Sequence, residues 1–185
     1  MVKQSKQQTG RTPDTKIVDL IAALDDPSID ERHKAVAALG RCGKPAVLPL
    51  IQALAAATDN DHRWYAAVSL GGIGLEAVAP LLAAMVEHKD RDFRKYAAAA
   101  LGSMGEQAVE SLIDAMGSED ADLRGYLSKA LCRIGKPAVE PLTRRLNDGD
   151  AIIRSCSSLT LWQMGETGLP SMVKAVQDEE ANKKS

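Results

Sequence analysis

Aromatic side chains are scarce. The 185-residue chain has one Phe, two Trp and three Tyr, 3% of its residues. Hydrophobic residues still make up 45%, so the core must be assembled from Ala, Leu, Val, Ile and Met. An excess of one charge is lacking as well. With 23 Lys+Arg against 25 Asp+Glu, the formal net charge is -2. Such a balance creates no field to collect nucleic acid or an anionic membrane surface, and neither is expected as a partner. Long apolar runs are missing: the longest, Ala77 to Val86, is bounded by Glu76 and Glu87 and is too short to cross a bilayer. The N-terminus has no apolar run of the signal-peptide kind. Cys42, Cys132 and Cys156 are an odd number and form no CxxC pair. That argues against a disulfide framework and fits a reducing, cytoplasmic compartment. The length leaves room for one domain, or two small ones.

What is present is repetition, the signature to seek before any other. Gly43-Lys44-Pro45-Ala46-Val47-Leu48-Pro49-Leu50 returns from Gly74 to Leu81, from Gly105 to Leu112 and from Gly135 to Leu142. A worn copy runs from Gly165 to Met172, so the glycine steps are 31, 31, 30 and 30 residues. A partial copy precedes them, with Ile17, Leu20, Ile21 and Leu24 in the places of Val47, Leu50, Ile51 and Leu54.

Each unit reads as two helices. Helix A opens at Ser28, Asp59, Asp90, Asp120 and Asp150, whose side chains can accept from free backbone N–H groups. Asp30, Asp61, Asp92 and Asp122 follow in the first turn, where the helix dipole favours negative charge; Ile152 breaks that column. Apolar residues then recur at helical spacing, as in Phe93, Ala97, Leu101 and Met104. Gly40, Gly71 and Gly102, followed by the repeat glycines, are expected to close helix A in the left-handed C-cap conformation. Helix B buries Val47, Leu50, Ile51 and Leu54, and the same columns hold Val78, Leu81, Leu82, Met85 and Val109, Leu112, Ile113, Met116. Pro45 suits the first position of helix B, but Pro49 falls too late to be free of cost. Either the first turn is not regular α-helix, or the helix begins nearer Val47.

No pair of helices of about 30 residues buries enough apolar surface alone, whereas stacked neighbours do. Small residues such as Ala35, Ala66 and Ala97 in one column let the helices approach closely. The pattern Asp-x-x-x-Arg-x-x-Ala-x-x-x-Leu-Gly-x-x-Gly-x-x-Ala-Val-x-Pro-Leu resembles the short HEAT repeats of the phycobilisome-lyase type. Asp59, Arg63, Ala66, Leu70, Gly71, Gly74, Ala77, Val78, Pro80 and Leu81 match it. Asp90, Arg94, Ala97, Leu101, Gly102, Gly105, Ala108, Val109 and Leu112 match again, with Ser111 in place of the proline. The resemblance implies an all-α fold, a right-handed α-α superhelix of about five to six helical hairpins over residues 13–177. Polar tails are expected at 1–12 and 178–185. The last unit drifts, as a terminal repeat should: Ser155, Cys156, Ser157 and Ser158 replace the alanines, Trp162 replaces a glycine, and Gly168 sits in helix B. The resemblance says little of function, since the family includes bilin lyase subunits, a di-iron hydroxylase and many scaffolds.

Several patterns invite a chemical reading and lose it on inspection. Asp59-Asn60-Asp61 looks like the start of a calcium loop, but the twelfth position is Leu70 where a bidentate Glu is needed. Gly72-Ile73-Gly74-Leu75-Glu76-Ala77 fits GxGxxA, yet a helix precedes it instead of a strand. His33, His62 and His88 include no i, i+4 pair. The hydroxylase relatives carry His-Glu dipeptides, whereas Lys34 follows His33 here. Cys42 falls in a core column with Ile73, Met104, Ile134 and Met164. Cys132 and Cys156 leave a thiol role in chromophore transfer open. No catalytic residue, cofactor or metal set is assigned.

Two columns remain as structure or surface. Arg32, Arg63, Arg94, Arg124 and Arg154 recur in every unit, which favours bridging to the neighbouring unit over a ladder for an acidic partner. Tyr65, Tyr96 and Tyr126 share a column that serves either packing between A helices or binding, with packing the better reading. The free side of helix B, concave in this family, carries Val18, Ala22, Leu48, Gln52, Ala55, Ala79, Ala83 and Val86 in the first copies. Later copies place Glu110, Asp114, Glu140, Arg144, Lys174 and Gln177 there. This surface thus passes from apolar to charged. A contiguous exposed apolar patch marks an interaction site, unless curvature packs these residues against one another. The expectation is a monomeric, non-catalytic adaptor that binds another protein through Leu48, Gln52, Ala79, Ala83 and Val86. Glu110, Asp114, Glu140, Arg144 and Arg145 would set orientation. The alternative, resting on the resemblance alone, is a subunit of a phycobilin-type chromophore lyase or a cofactor-attachment chaperone.

Overall fold

Every helix A starts where a side chain can satisfy a free amide. Ser28, Asp59, Asp90, Asp120 and Asp150 are all N-caps, accepting from the amides of Glu31, His62, Phe93, Leu123 and Ile152. In the computed structural model, which describes residues 13–183, eleven α-helices follow one another and no strand occurs among the described residues. The A helices are α2 (Ile29–Cys42), α4 (Asn60–Ile73), α6 (Arg91–Ser103), α8 (Ala121–Ile134) and α10 (Ala151–Gln163). The B helices are α1 (Pro13–Ala22), α3 (Lys44–Ala56), α5 (Leu75–Glu87), α7 (Val109–Ala115), α9 (Val139–Arg144) and α11 (Leu169–Lys183). The last helix therefore continues past Gln177, where the sequence pattern stops. Residues 1–12 lie outside the described residues.

Contacts run between neighbours, as the repeat demands. Each A helix touches the next A helix, each B helix touches the next B helix, and the hairpins close the two layers on each other. The predicted B stripes form the seam: Val47, Leu50, Ile51 and Leu54 are buried, as are Val109, Leu112, Ile113 and Met116. Ile17 and Leu24 extend the core into the partial first copy. At the far end the same columns open. Val47, Val78 and Val109 are at most 2% exposed, while Leu169 in that column is 37% exposed; Val173, equivalent to the buried Ile51 and Ile113, is 53% exposed. Among the described residues nothing covers these two positions of the last hairpin.

The glycines divide into two roles, only one of which matches the expectation. Gly43 has φ 64° and ψ -144°, and Gly74 and Gly135 are similar. Positive φ is as expected, but ψ is far from the left-handed helical value. This extended mirror-image backbone is open in practice to glycine alone, and it turns the chain sharply into helix B. Gly40, Gly71 and Gly102 do not end their helices. They lie inside them, and at Gly71 and Gly102 the missing side chain lets consecutive A helices touch. A Cβ on Gly71 would stand 2.3 Å from Ser103 Oγ, and one on Gly102 would stand 2.8 Å from Arg133 Cδ.

The proline question resolves in favour of an irregular first turn. The amides of Ala46, Ala77 and Ala138 donate three residues back, to the carbonyls of Gly43, Gly74 and Gly135, at 2.9–3.0 Å. In the later units this turn is a separate 3₁₀ segment, Gly105–Ala108, Lys136–Ala138 and Gly165–Thr167. A tight first turn needs no amide at the proline position four residues further on, so Pro49 and Pro80 sit inside α3 and α5.

Gly168 also has a packing reason. It replaces the fully buried Ala46, Ala77, Ala108 and Ala138, but a Cβ there would lie 2.3 Å from the Leu161 carbonyl oxygen. Restoring the repeat's own residue, Gly168→Ala, should therefore lower stability by roughly 1–3 kcal/mol through overpacking against rigid backbone. Urea unfolding measures it, and a midpoint equal to or above that of the parent contradicts the packing account.

Candidate functional site

The arginine column is part of the scaffold. Arg32 reaches Asp61 of the next unit at 3.6 Å, and Arg63 reaches Asp92 at 3.6 Å. Arg94 goes furthest: it is 2% exposed, its Nη2 donates to Asp120 Oδ2 at 2.8 Å, and its Nε donates to the carbonyls of Met85 and His88. Arg124 and Arg154 close on carbonyls of the preceding loop, at Ser118 and Asp148. One side chain thus ties the end of helix B to the following unit, which is the bridging role read from its periodicity.

The tyrosines follow the same logic. Tyr96 is buried, and Tyr65 and Tyr126 pack against the core. The Arg32 guanidinium lies 5.0 Å from the Tyr65 ring centre. The column is packing between A helices. The histidines are held apart by separate partners: His33 is edge-on to Tyr65, His62 bonds Asp25, and His88 lies against Phe93. Cys42 packs on the core with Ile73, Ile134 and Met164, as its column predicted. Burial pushes the Cys132 and Cys156 thiols up, away from the thiolate that a nucleophile requires.

The ten residues singled out on helix B fall into two halves. In the first, Leu48 is 63% exposed and Val86 57% exposed, with Gln52, Ala79 and Ala83 exposed between them on α3 and α5. Val18 of α1 continues the column at 64% exposure. These side chains are open to solvent. In the second half the charges find one another. Arg144 bonds Glu110 at 2.9 Å and Glu140 at 3.1 Å. Arg145 bonds Asp114 at 2.6 Å, Asp148 at 2.9 Å and Glu110 at 3.2 Å. Asp148 was not singled out in the sequence; its carboxyl is held below the usual range by the Asp150 amide and then by Arg145. The network therefore joins α7 to α9 and is largely satisfied within the chain. Beside it, Glu106, Val109, Lys136 and Pro141 help line a groove of about 590 Å³.

HEAT repeats match the sequence over residues 17–102 and 47–124, more than half of it. The chain belongs to the HEAT-repeat family. Among curated proteins none matches. Similar solved structures include an engineered protein, 18% identical, with TM-score 0.36 over 91% of this chain and 88% of that one. The complex of CpcE and CpcF of phycocyanin lyase from Nostoc sp. PCC7120 is 22% identical, with TM-score 0.38 over 90% of this chain and 70% of that one. Computationally designed armadillo repeat proteins for modular peptide recognition are 16% identical, with TM-score 0.32 over 85% and 91%. Among the described residues of this HEAT-repeat chain, no helix is long and apolar enough to cross a membrane.

The Arg94–Asp120 pair gives the scaffold an acid limit. The hydrogen bond from Arg94, with help from the Leu123 amide, holds the Asp120 carboxyl at about 2, against an ordinary 3.8. A depressed folded-state value stabilises above 3.8 and loses that contribution as pH falls toward 2. Arg94→Ala should cost about 3 kcal/mol at neutral pH, because the Met85 and His88 carbonyls lose their donor and Asp120 its partner. It should also flatten the loss of stability between pH 3.8 and 2. Thermal melts across this range check both, and an acid limb as steep as the parent's contradicts the assignment.

Proposed function

We propose that this HEAT-repeat chain is a non-catalytic adaptor that binds another protein along the outward face of its B helices. One observation carries the reading: Val18, Leu48 and Val86 stand more than half exposed on three successive B helices, with Ala79 and Ala83 between them. Burying a Val or Leu side chain stabilises a contact by about 1.5–3 kcal/mol, so Val18 and Leu48 in one column, with Val86 two turns further along α5, form a substantial anchor. The adjoining network adds direction. Glu110, Asp114, Glu140 and Asp148 outnumber Arg144 and Arg145, four carboxylates to two guanidiniums. A partner that lays an apolar stripe on α1, α3 and α5 and presents basic groups toward α7 and α9 complements both halves. Charge there sets register and orientation more than affinity.

The double variant Leu48→Asp/Val86→Asp places two carboxylates in the stripe and touches no buried residue. It should abolish partner capture from native extract, read by affinity purification and mass spectrometry, while its helical circular dichroism stays that of the parent. Capture of the same protein by the double variant, undiminished, would falsify the reading.

A further inference from the structure

The A-helix layer carries a surface of different character. The glycines that bring α4, α6 and α8 together also leave a groove across them of about 400 Å³. Trp64 and Val68 of α4 form one wall and are 45% and 37% exposed. Ala99, Ala100 and Ser103 of α6 form the floor, and Arg133 of α8 closes the far side. The Arg133 stem lies against Gly102, which has no side chain to push it away. A second hollow of about 230 Å³ shares Ala99 and Arg133 and adds Lys95, Tyr126 and Lys129.

The charge of this surface is one-sided. Among the described residues no carboxylate lines either hollow, and Lys95, Lys129 and Arg133 enter no ion pair. Lys95 and Lys129 instead rest over the rings of Tyr96 and Tyr126, at 5.1 and 5.2 Å. The column arginines Arg32, Arg63, Arg94, Arg124 and Arg154, by contrast, are engaged in scaffold contacts. Three unneutralised cations around an apolar floor, on a chain of net charge -2, are a local reversal of sign.

We infer that this surface is a second docking site, independent of the B-helix face, and that its occupant is an acidic peptide segment carrying an apolar side chain. The apolar group would lie on the alanine floor against Trp64. The carboxylates would meet Arg133, which can pair with them bidentately, and the two lysines. The small, apolar floor and the one indole lining this groove favour a peptide over a nucleic acid, which needs a longer run of phosphate contacts and several stacking rings.

The test uses the whole chain and three fluorescein-labelled probes: a peptide alternating Glu and Leu, its counterpart alternating Lys and Leu, and oligo-thymidylate. In the Trp162→Phe background, Trp64 is the sole indole and reports the groove. The Glu/Leu peptide should bind saturably, shift the Trp64 emission and weaken as salt rises. Lys129→Glu/Arg133→Glu, both on exposed side chains, should weaken it at least tenfold with unchanged circular dichroism. Leu48→Asp/Val86→Asp should leave it unchanged, which separates this site from the B-helix face. Absence of saturable binding, equal affinity in the charge-reversed variant, a silent Trp64, or tighter binding of either other probe would overturn the inference.

Discussion

An apolar stripe on a helical hairpin has to be covered by the next hairpin, and the rest of the molecule follows from that. In Val47, Val78 and Val109 the cover is complete, and in Leu169 and Val173 it is missing. Close cover requires that consecutive A helices touch backbone to side chain. The glycines at 71 and 102 make this possible by removing the one atom that would intervene. The same register then brings Arg32, Arg63 and Arg94 against carboxylates one unit ahead. Ladder and seam are two consequences of one spacing.

A stack built this way has two long outward surfaces of different character. Only one side of each helix is needed for cohesion, so the outward columns are free to vary from unit to unit. On the B side they change from Leu48 and Val86 to the Glu110–Arg145 network. On the A side they gather Trp64, Lys95, Lys129 and Arg133 around a floor of small residues. On the two proposals above, recognition is a property of columns running across units, because each proposed surface draws its residues from several hairpins.

The sequence alone made the scaffold legible. Repeat register, all five helix N-caps, the buried stripes, the structural part played by the arginines and the core placement of Cys42 were readable because each depends on local chemistry repeated at fixed spacing. What was not readable depends on backbone detail or on contacts across units. The ψ of Gly43 distinguishes a mirror-image extended turn from a left-handed cap, and glycine permits both. Pro49 left two answers open until the donors of the first turn were known. Gly168 looked like drift, although the Leu161 carbonyl excludes anything larger. The exposure of Leu48 and Val86 was expected on one of two readings, but the mutual neutralisation of Glu110, Asp114, Arg144 and Arg145 was not. Those partners are more than thirty residues apart, and only the stacking geometry joins them. The A-helix groove escaped notice because its glycines read as punctuation.

Native-state hydrogen exchange, resolved helix by helix, tests most directly whether each hairpin depends on its successor. Amides of α4 and α6, covered on both sides, should show the greatest protection, with a decline through α10 to α11, where Leu169 and Val173 stand uncovered. Protection in α11 equal to that in α6 would contradict the account, since the last hairpin would then hold its structure without the cover on which the others are argued to rely.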